Sequence, residues 1–580
     1  MNGKKKVLYG EDMMKRSLTR REFLKNSGRA AVAASVVGSG LVLKGCSSGR
    51  DFDLVIKDGF VLDGLGNPGR NGDIGVSGGV IKEIGKIPVS RGTAVIEARG
   101  LAVAPGFIDA HDHTSVELLV NPKGESAVRQ GVTTLISGNC GSSVFPVAEA
   151  TYQESKEAMN REFGLDLDWG DINGFFARLE KNGMALNYAT FVGHGDVRGA
   201  AMGLSDRPPT DQELERMKAL VNENMTKGAL GLSSGLEYTP GSFAGPEELI
   251  ELCKVVAAKG GVYATHMRDE GDKLLESLDE AIGTAKKSGV SLQISHFKVA
   301  YPRNWDKIDA AIARVDEAKA AGVDILCDRY TYIAGATGLS LNFPAWAREG
   351  TARDFVARLK DRALDSRLRA YIAEREAKLG SWDKVLIASV LTEKNKKYEG
   401  LNVLEASGQA GKAPYEFMRD LLIEENGAVG MVIFMMKEDN LRRILAHPRV
   451  VIGADSETHA PYGRLGQGKP HPRAYGTFAR ALGKYVREEK LLKLEEMVKK
   501  MTSMAAVKFN LERRGVLGPG LFADIVVFDP ERIIDNATWK EPHQFPAGVE
   551  YVLVNGEVVV ERGNHTGKLP GKILRKKAAL

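Results

Sequence analysis

The stretch GFIDAHDHTS, residues 106–115, sets two histidines on either side of an acid, directly after a short apolar run. Positions i and i+2 of a strand face the same side. His111 and His113 therefore point together, and Asp112 points away. One buried histidine is ordinarily a core residue satisfied by hydrogen bonds. Two on one face at a strand end are a candidate metal pair.

The same arrangement recurs along the chain. Cys140 follows TLISGN, His266 ends GGVYATH, His296 ends VSLQISH and Asp455 ends VVIGAD. Each of these β-branched runs reads as a buried parallel strand. Helical stretches lie between most of them, such as PPTDQELERMKALVNENMTKG, which Pro-Thr-Asp opens and Gly closes. Repeated strand–helix alternation implies a parallel sheet. About eight such units close into a (β/α)8 barrel, whose functional residues sit where strands meet their following loops. The predicted fold is thus α/β, with the barrel over about residues 105–515. A charged, helical insertion over about 336–425 interrupts it, either as a solvated excursion or as a lid.

Short alternating strands broken by Gly and Asp occupy residues 51–104, and similar ones occupy 516–575. They predict a small β-sandwich built from both chain ends.

At 580 residues with 43% apolar content, the chain is too long for one ordinary domain and has ample material for a core. The net charge of +5 is spread along the length and does not point to nucleic acid. Residues 1–46 carry paired Arg20 and Arg21, a weakly apolar Ala/Val/Gly stretch and then Leu43-Lys44-Gly45-Cys46. This is similar to a twin-arginine export signal with a lipobox-like site. It predicts a periplasmic or cell-envelope protein, with a lipid on Cys46 as its only link to the membrane. That route carries folded proteins, which suits an enzyme loaded with metal before export. With Cys46 set aside, three cysteines remain, and an odd number argues against a disulfide framework. Cys253 in a helix and Cys327 inside a strand read as core.

Imidazole and thiolate together suit Zn²⁺ better than Ca²⁺ or Mg²⁺. Asp455 is then the natural acid/base for an activated water. His194, in FVGHGDVRG, also follows a strand and is a candidate substrate residue. His459 and His471 lie in the loop after Asp455, within reach of a substrate. His447, His543 and His565 read as surface or core. GLSSG at 231–235 is only loosely like a phosphate cradle, and no nucleotide motif supports it.

The segments PGFIDAHDH, GVTTLISGNCG, THMRDEGD, SHFK, GAD…HPRAYGTF and GLFADIVVFDP resemble the amidohydrolase superfamily, and within it the D-aminoacylase (N-acyl-D-amino-acid deacylase) family. The resemblance runs from about Leu54 to Arg575. It implies a zinc barrel with Cys140 as bridging ligand, His266 and His296 completing a tight site, and His111 and His113 at a second, weaker one. It further implies Asp455 as catalytic acid/base, and Lys298, Tyr330 and Arg473 around a substrate carboxylate. The chain departs from the family pattern at Thr114-Ser115 after the histidine pair, at Ala336, and in a longer loop between Asp455 and Arg473.

The expected reaction is zinc-dependent hydrolysis of small N-acyl-D-amino acids. Cyclic-amide opening of the hydantoinase or dihydroorotase kind and an exported D-residue peptidase are the alternatives. A solute-binding lipoprotein without chemistry would need no stoichiometric zinc.

Overall fold

The computed structural model describes residues 50–576. The signal-like segment and Cys46 lie outside the described residues. Among those described, no helix is long and apolar enough to cross a membrane.

Eight parallel strands form the central barrel: Phe107–Asp109, Val132–Ser137, Asn187–Thr190, Gly231–Gly235, Val262–His266, Ser291–Ile294, Ile325–Arg329 and Val450–Ile452. They are called the first to eighth strands below. The third meets the fourth through Leu230 N–H donating to Thr190 O at 2.8 Å. The eighth closes on the first through Ala110 N–H to Ile452 O at 3.3 Å and Asp455 N–H to His111 O at 2.7 Å. Strands covered on both faces are buried along their length, so they lack the alternation of apolar and exposed polar residues that a one-sided sheet shows. Val132–Ser137 is buried at every position. Gly231 opens the fourth strand where a Cβ would lie 1.8 Å from Val262 O, so only glycine admits that strand spacing. GLSSG is therefore a barrel strand, and no cradle.

The surrounding helices start where the local chemistry directs. Thr210 and Glu213 form a reciprocal capping box at the head of Asp211–Thr226, and Pro246 opens Pro246–Ala258 at its first position.

The chain ends come together as expected, but as one sheet. Strand Ala102–Pro105 runs antiparallel to Ile525–Phe528, and hydrogen bonding continues through nine strands without a break. Leu54, Ile74 and Val103 from the N-terminal part pack with Ile525, Val527 and Leu553 from the C-terminal part. The tail beyond this sheet returns to the barrel, where Tyr188 N–H donates to Lys572 O at 2.9 Å and Arg575 covers the Phe176 ring.

The insertion is more than a helical excursion. Ala334–Gly338, Val385–Ser389 and Gly430–Phe434 form an antiparallel three-stranded sheet with the last in the middle. Its helices bury a core of their own, with Trp382, Phe355, Phe417 and Leu421. Ala334–Gly338 escapes sequence reading because AGATG offers only Thr337 as a strand-favouring residue and its partner lies far along the chain; VLIAS and GMVIF are strand-like but fall within a stretch that reads as helical. The segment thus spans 334–434, wider than expected, and its inner side lines the cavity described next.

Candidate metal centre

The C-terminal ends of five barrel strands meet around one point. His111 and His113 extend the first strand, Cys140 follows the second, His266 ends the fifth, His296 follows the sixth and Asp455 follows the eighth. Donor atoms of Cys140, His266 and His296 all lie within 4.8 Å of one another, as do those of His111, His113, Cys140 and Asp455. Cys140 belongs to both groups. The cluster opens into a cavity of about 1270 Å³ that also exposes Tyr330 and Arg473.

The spacing of these donors tests their fit to an ion. Ligands at 2.0–2.3 Å around a tetrahedral zinc sit roughly 3.3–3.8 Å from each other. Cys140 Sγ lies 3.4 Å from His296 Nε2 and 3.4 Å from His111 Nε2, and His111 Nε2 lies 3.3 Å from His113 Nε2. The residues fit zinc in type and in separation. A thiolate shared by two groups of imidazoles is also suited to holding two ions.

The backbone is bent to achieve this. Cys140, His296 and Asp455 take φ of 52°, 35° and 56°. The left-handed region costs a non-glycine residue about 1–3 kcal/mol, and persists only where surrounding structure over-determines it. Here it turns each side chain inward just past its strand.

Acidic partners hold the imidazoles. Asp328, on the seventh strand, accepts from His111 Nδ1 at 2.9 Å, from the His296 backbone N–H at 2.7 Å and from Gln293 Nε2 at 2.7 Å. A proton on Nδ1 leaves Nε2 of His111 free to face Cys140. Glu237 lies 3.1 Å from His266 Nε2. Glu270 lies 3.0 Å from His296 Nδ1 and receives Lys298 Nζ at 2.5 Å on both oxygens. Asp112 faces away, as its spacing requires, and accepts from Ser137 Oγ at 2.7 Å and from the Thr114 N–H.

Charges in the cluster reinforce one another. Burial opposes ionisation of Cys140, yet His111 and His296 hold its thiol well below the usual range. Burial likewise opposes charge on Asp455, but Arg473, His296 and His111 outweigh it and hold the carboxyl well below its usual value. Arg473 Nη1 donates to Asp455 Oδ2 at 2.6 Å, while Asp455 Oδ1 lies 3.0 Å from His113 Nε2. Cys253 and Cys327 are buried without such neighbours, and burial pushes both thiols up.

The other expected site residues divide. Tyr330 lines the cavity with its hydroxyl buried and without a hydrogen-bond partner, and Arg473 lies over its ring at 4.7 Å. Lys298 also reaches the cavity, but its ammonium is engaged by Glu270 and lies 2.7 Å from His296 Nδ1. A substrate carboxylate at Lys298 has to compete with Glu270. His194 is turned away: it is fully buried, lies 2.7 Å from Glu248 and does not line the cavity, because its helix carries Gly195 and Asp196 there instead. His471 lines the cavity, accepts the Arg473 N–H at 2.9 Å and lies 2.9 Å from Ala334 O, which orients Arg473. Sequence reading passed over Asp328, Glu237 and Glu270. Asp328 and Glu237 are acids at or just past the ends of apolar strands, the signal used for Asp455. Glu270 lies within THMRDEGD, without a role assigned.

Comparison with known proteins gives the family. The pattern of the amidohydrolase family matches residues 94–560. A D-aminoacylase of Alcaligenes xylosoxydans xylosoxydans is 34% identical over 533 residues, covering 92% of this chain and 99% of that protein. An N-acyl-D-glutamate deacylase of the same organism is 34% identical over 528 residues, covering 91% and 97%. The crystal structure of N-acyl-D-glutamate deacylase from Bordetella bronchiseptica, complexed with zinc and a phosphonate mimic of the tetrahedral intermediate, superposes with a TM-score of 0.78. It is 31% identical and covers 91% of this chain and all of that one. This chain belongs to the amidohydrolase family, in its D-aminoacylase branch.

Proposed function

We propose that the protein hydrolyses the amide bond of N-acyl-D-amino acids, releasing a carboxylate and a free D-amino acid, with zinc as its metal. One observation carries this reading: a thiolate and imidazoles at zinc-ligand separations share a cavity with Asp455, Arg473 and Tyr330. Cys140, His266 and His296 would hold one ion, and His111 and His113, with Cys140, a second and weaker one. When bound, zinc supplies Lewis acidity toward the amide oxygen and lowers the pKa of a water.

The remaining work falls to the chain. Asp455 accepts the proton of the attacking water and returns it to the leaving nitrogen. Asp328 and Glu270 keep the His111 and His296 imidazoles in position throughout. Arg473, a planar fork of donors, and the unpartnered Tyr330 hydroxyl orient the α-carboxylate. Chirality follows from three anchored points: carboxylate, carbonyl and side chain.

The test is a chiral screen on zinc-replete protein. N-acetyl-D-amino acids should be cleaved and their L-enantiomers left intact, with a hydantoin and a peptide ending in a D-residue as controls. Cleavage of the hydantoin alone would replace the deacylase reading with cyclic-amide opening.

Export through the leader at 1–46, with a lipid on Cys46, belongs to the same proposal and rests on the sequence. Radiolabelled palmitate should enter the full-length protein and not a Cys46→Ser variant.

A further inference from the structure

Arg329 ends the seventh strand and is 1% exposed. Its neighbour Asp328 turns toward the imidazoles, so strand alternation sends Arg329 away from the metal cluster. Its Nη2 donates to Tyr332 O at 2.7 Å and lies 2.9 Å from Met436 Sδ, a weak acceptor. Nε and Nη1 are buried with no hydrogen-bond partner, and the guanidinium forms no ion pair with a carboxylate among the described residues. One carbonyl and one thioether are poor partners for a buried cation, and an apolar side chain of similar length would suit the core better. Packing alone gives no reason for an arginine here.

The reason lies one residue on. The guanidinium carbon of Arg329 is 3.9 Å from the centre of the Tyr330 ring, and that of Arg473 is 4.7 Å from the same centre. A cation over an aromatic face is attracted by the ring's electrons, most strongly where water is excluded. Two such charges also draw electron density from the phenol oxygen, which makes its O–H a stronger donor. That hydroxyl has no acceptor among the described residues, although a buried tyrosine O–H usually finds one. The charge of Arg329 is felt across this corner of the cavity: burial, Arg473 and, more weakly, Arg329 hold His471 well below its usual value. Tyr330 lines the cavity and Arg329 does not, so Arg329 reaches a substrate through the ring rather than by contact.

We infer that Arg329 is a positioning residue for the α-carboxylate of the substrate. Its guanidinium fixes the Tyr330 ring and strengthens the Tyr330 hydroxyl as a donor to that carboxylate. This rests on the deacylase reading above.

The experiment measures KM and kcat of zinc-replete enzyme on the N-acetyl-D-amino acid that the wild type cleaves fastest. Arg329→Met is made in two backgrounds, wild type and Tyr330→Phe. Phenylalanine keeps a ring for the guanidinium to cover and removes only the hydroxyl. Beside Tyr330, Arg329→Met should raise KM about 5- to 10-fold with kcat nearly unchanged, because the α-carboxylate is held alike before and during the reaction. In the Tyr330→Phe background the same change should raise KM less than about 2-fold. Arg329→Lys, which keeps a cation, should recover most of the loss. KM does not depend on how much of a preparation is folded, and Arg329→Gln carries the comparison if Arg329→Met does not accumulate. A rise as large in the Tyr330→Phe background, no rise in either, or Arg329→Lys as damaging as Arg329→Met overturns this inference and leaves the deacylase reading standing. No turnover of any N-acetyl-D-amino acid by the wild type overturns both.

Discussion

Asp328 Oδ1 sits 2.9 Å from His111 Nδ1 and 2.7 Å from the backbone nitrogen of His296, joining one residue of each proposed metal site to a single carboxylate. The seventh strand thus contributes no ligand yet sets the tautomer of one ligand and the backbone of another. Asp328→Asn puts an amide where a carboxylate anchored both. Zinc affinity should fall about 10- to 100-fold, the usual cost of losing a partner behind a ligating histidine. Competition against a chelator of graded strength measures it, and unchanged affinity would remove Asp328 from the proposed role.

Cys140 and Asp455 should separate on substitution. Cys140 belongs to both donor groups, so Cys140→Ala should strip bound zinc, read as metal per chain by elemental analysis. Asp455 is absent from the Cys140, His266 and His296 group. Asp455→Asn should therefore retain about one zinc while kcat drops about 100- to 10,000-fold, the range for loss of a general acid–base group. Wild-type turnover in that variant would sink the proton-transfer assignment.

Tyr330 makes a prediction about binding alone. Its hydroxyl has no partner in the protein, so Tyr330→Phe breaks no internal hydrogen bond. Melting temperature should hold or rise, while KM for an N-acyl-D-amino acid rises about 10- to 100-fold, as for one lost hydrogen bond to a charged group. A fall in melting temperature with KM unmoved would point to a structural role instead.

Lys500 offers a pH test away from the cluster. Burial brings its ammonium down to about 8, although it donates to the carbonyl oxygens of His447 and Val450. The unfolded chain holds this proton to about pH 10.4, so between the two values the unfolded state binds more protons. Stability from this group therefore rises as pH climbs from about 8 to about 10.4, and is lost as pH falls back through 8. Denaturant titrations of wild type and Lys500→Met across that window should differ in slope, whatever their absolute stabilities. Parallel curves would contradict the assignment.

Much of the site was legible because barrel geometry maps sequence onto space simply. A residue at the C-terminal end of any strand points toward one mouth, so His111, Cys140, His266, His296 and Asp455 could be gathered from strand ends before any distance was known. His194 marks the limit of that rule. It too follows a strand, but it begins the helix His194–Met202, and the turn carries its ring to Glu248. Lys298 marks another limit, since nothing local announces that Glu270, on the loop after the neighbouring strand, will occupy its ammonium.

The amino-acid sequence by itself determined the alternating architecture, the joining of the two chain ends and the identity of the zinc-type donors, because apolar periodicity and strand-end chemistry are local properties. Only the tertiary structure decided which acids stand behind the histidines and that the inserted segment is a packed wall with its own sheet. Those relationships join residues on separate elements. They exist only once the barrel has closed and burial has selected which charges keep a partner.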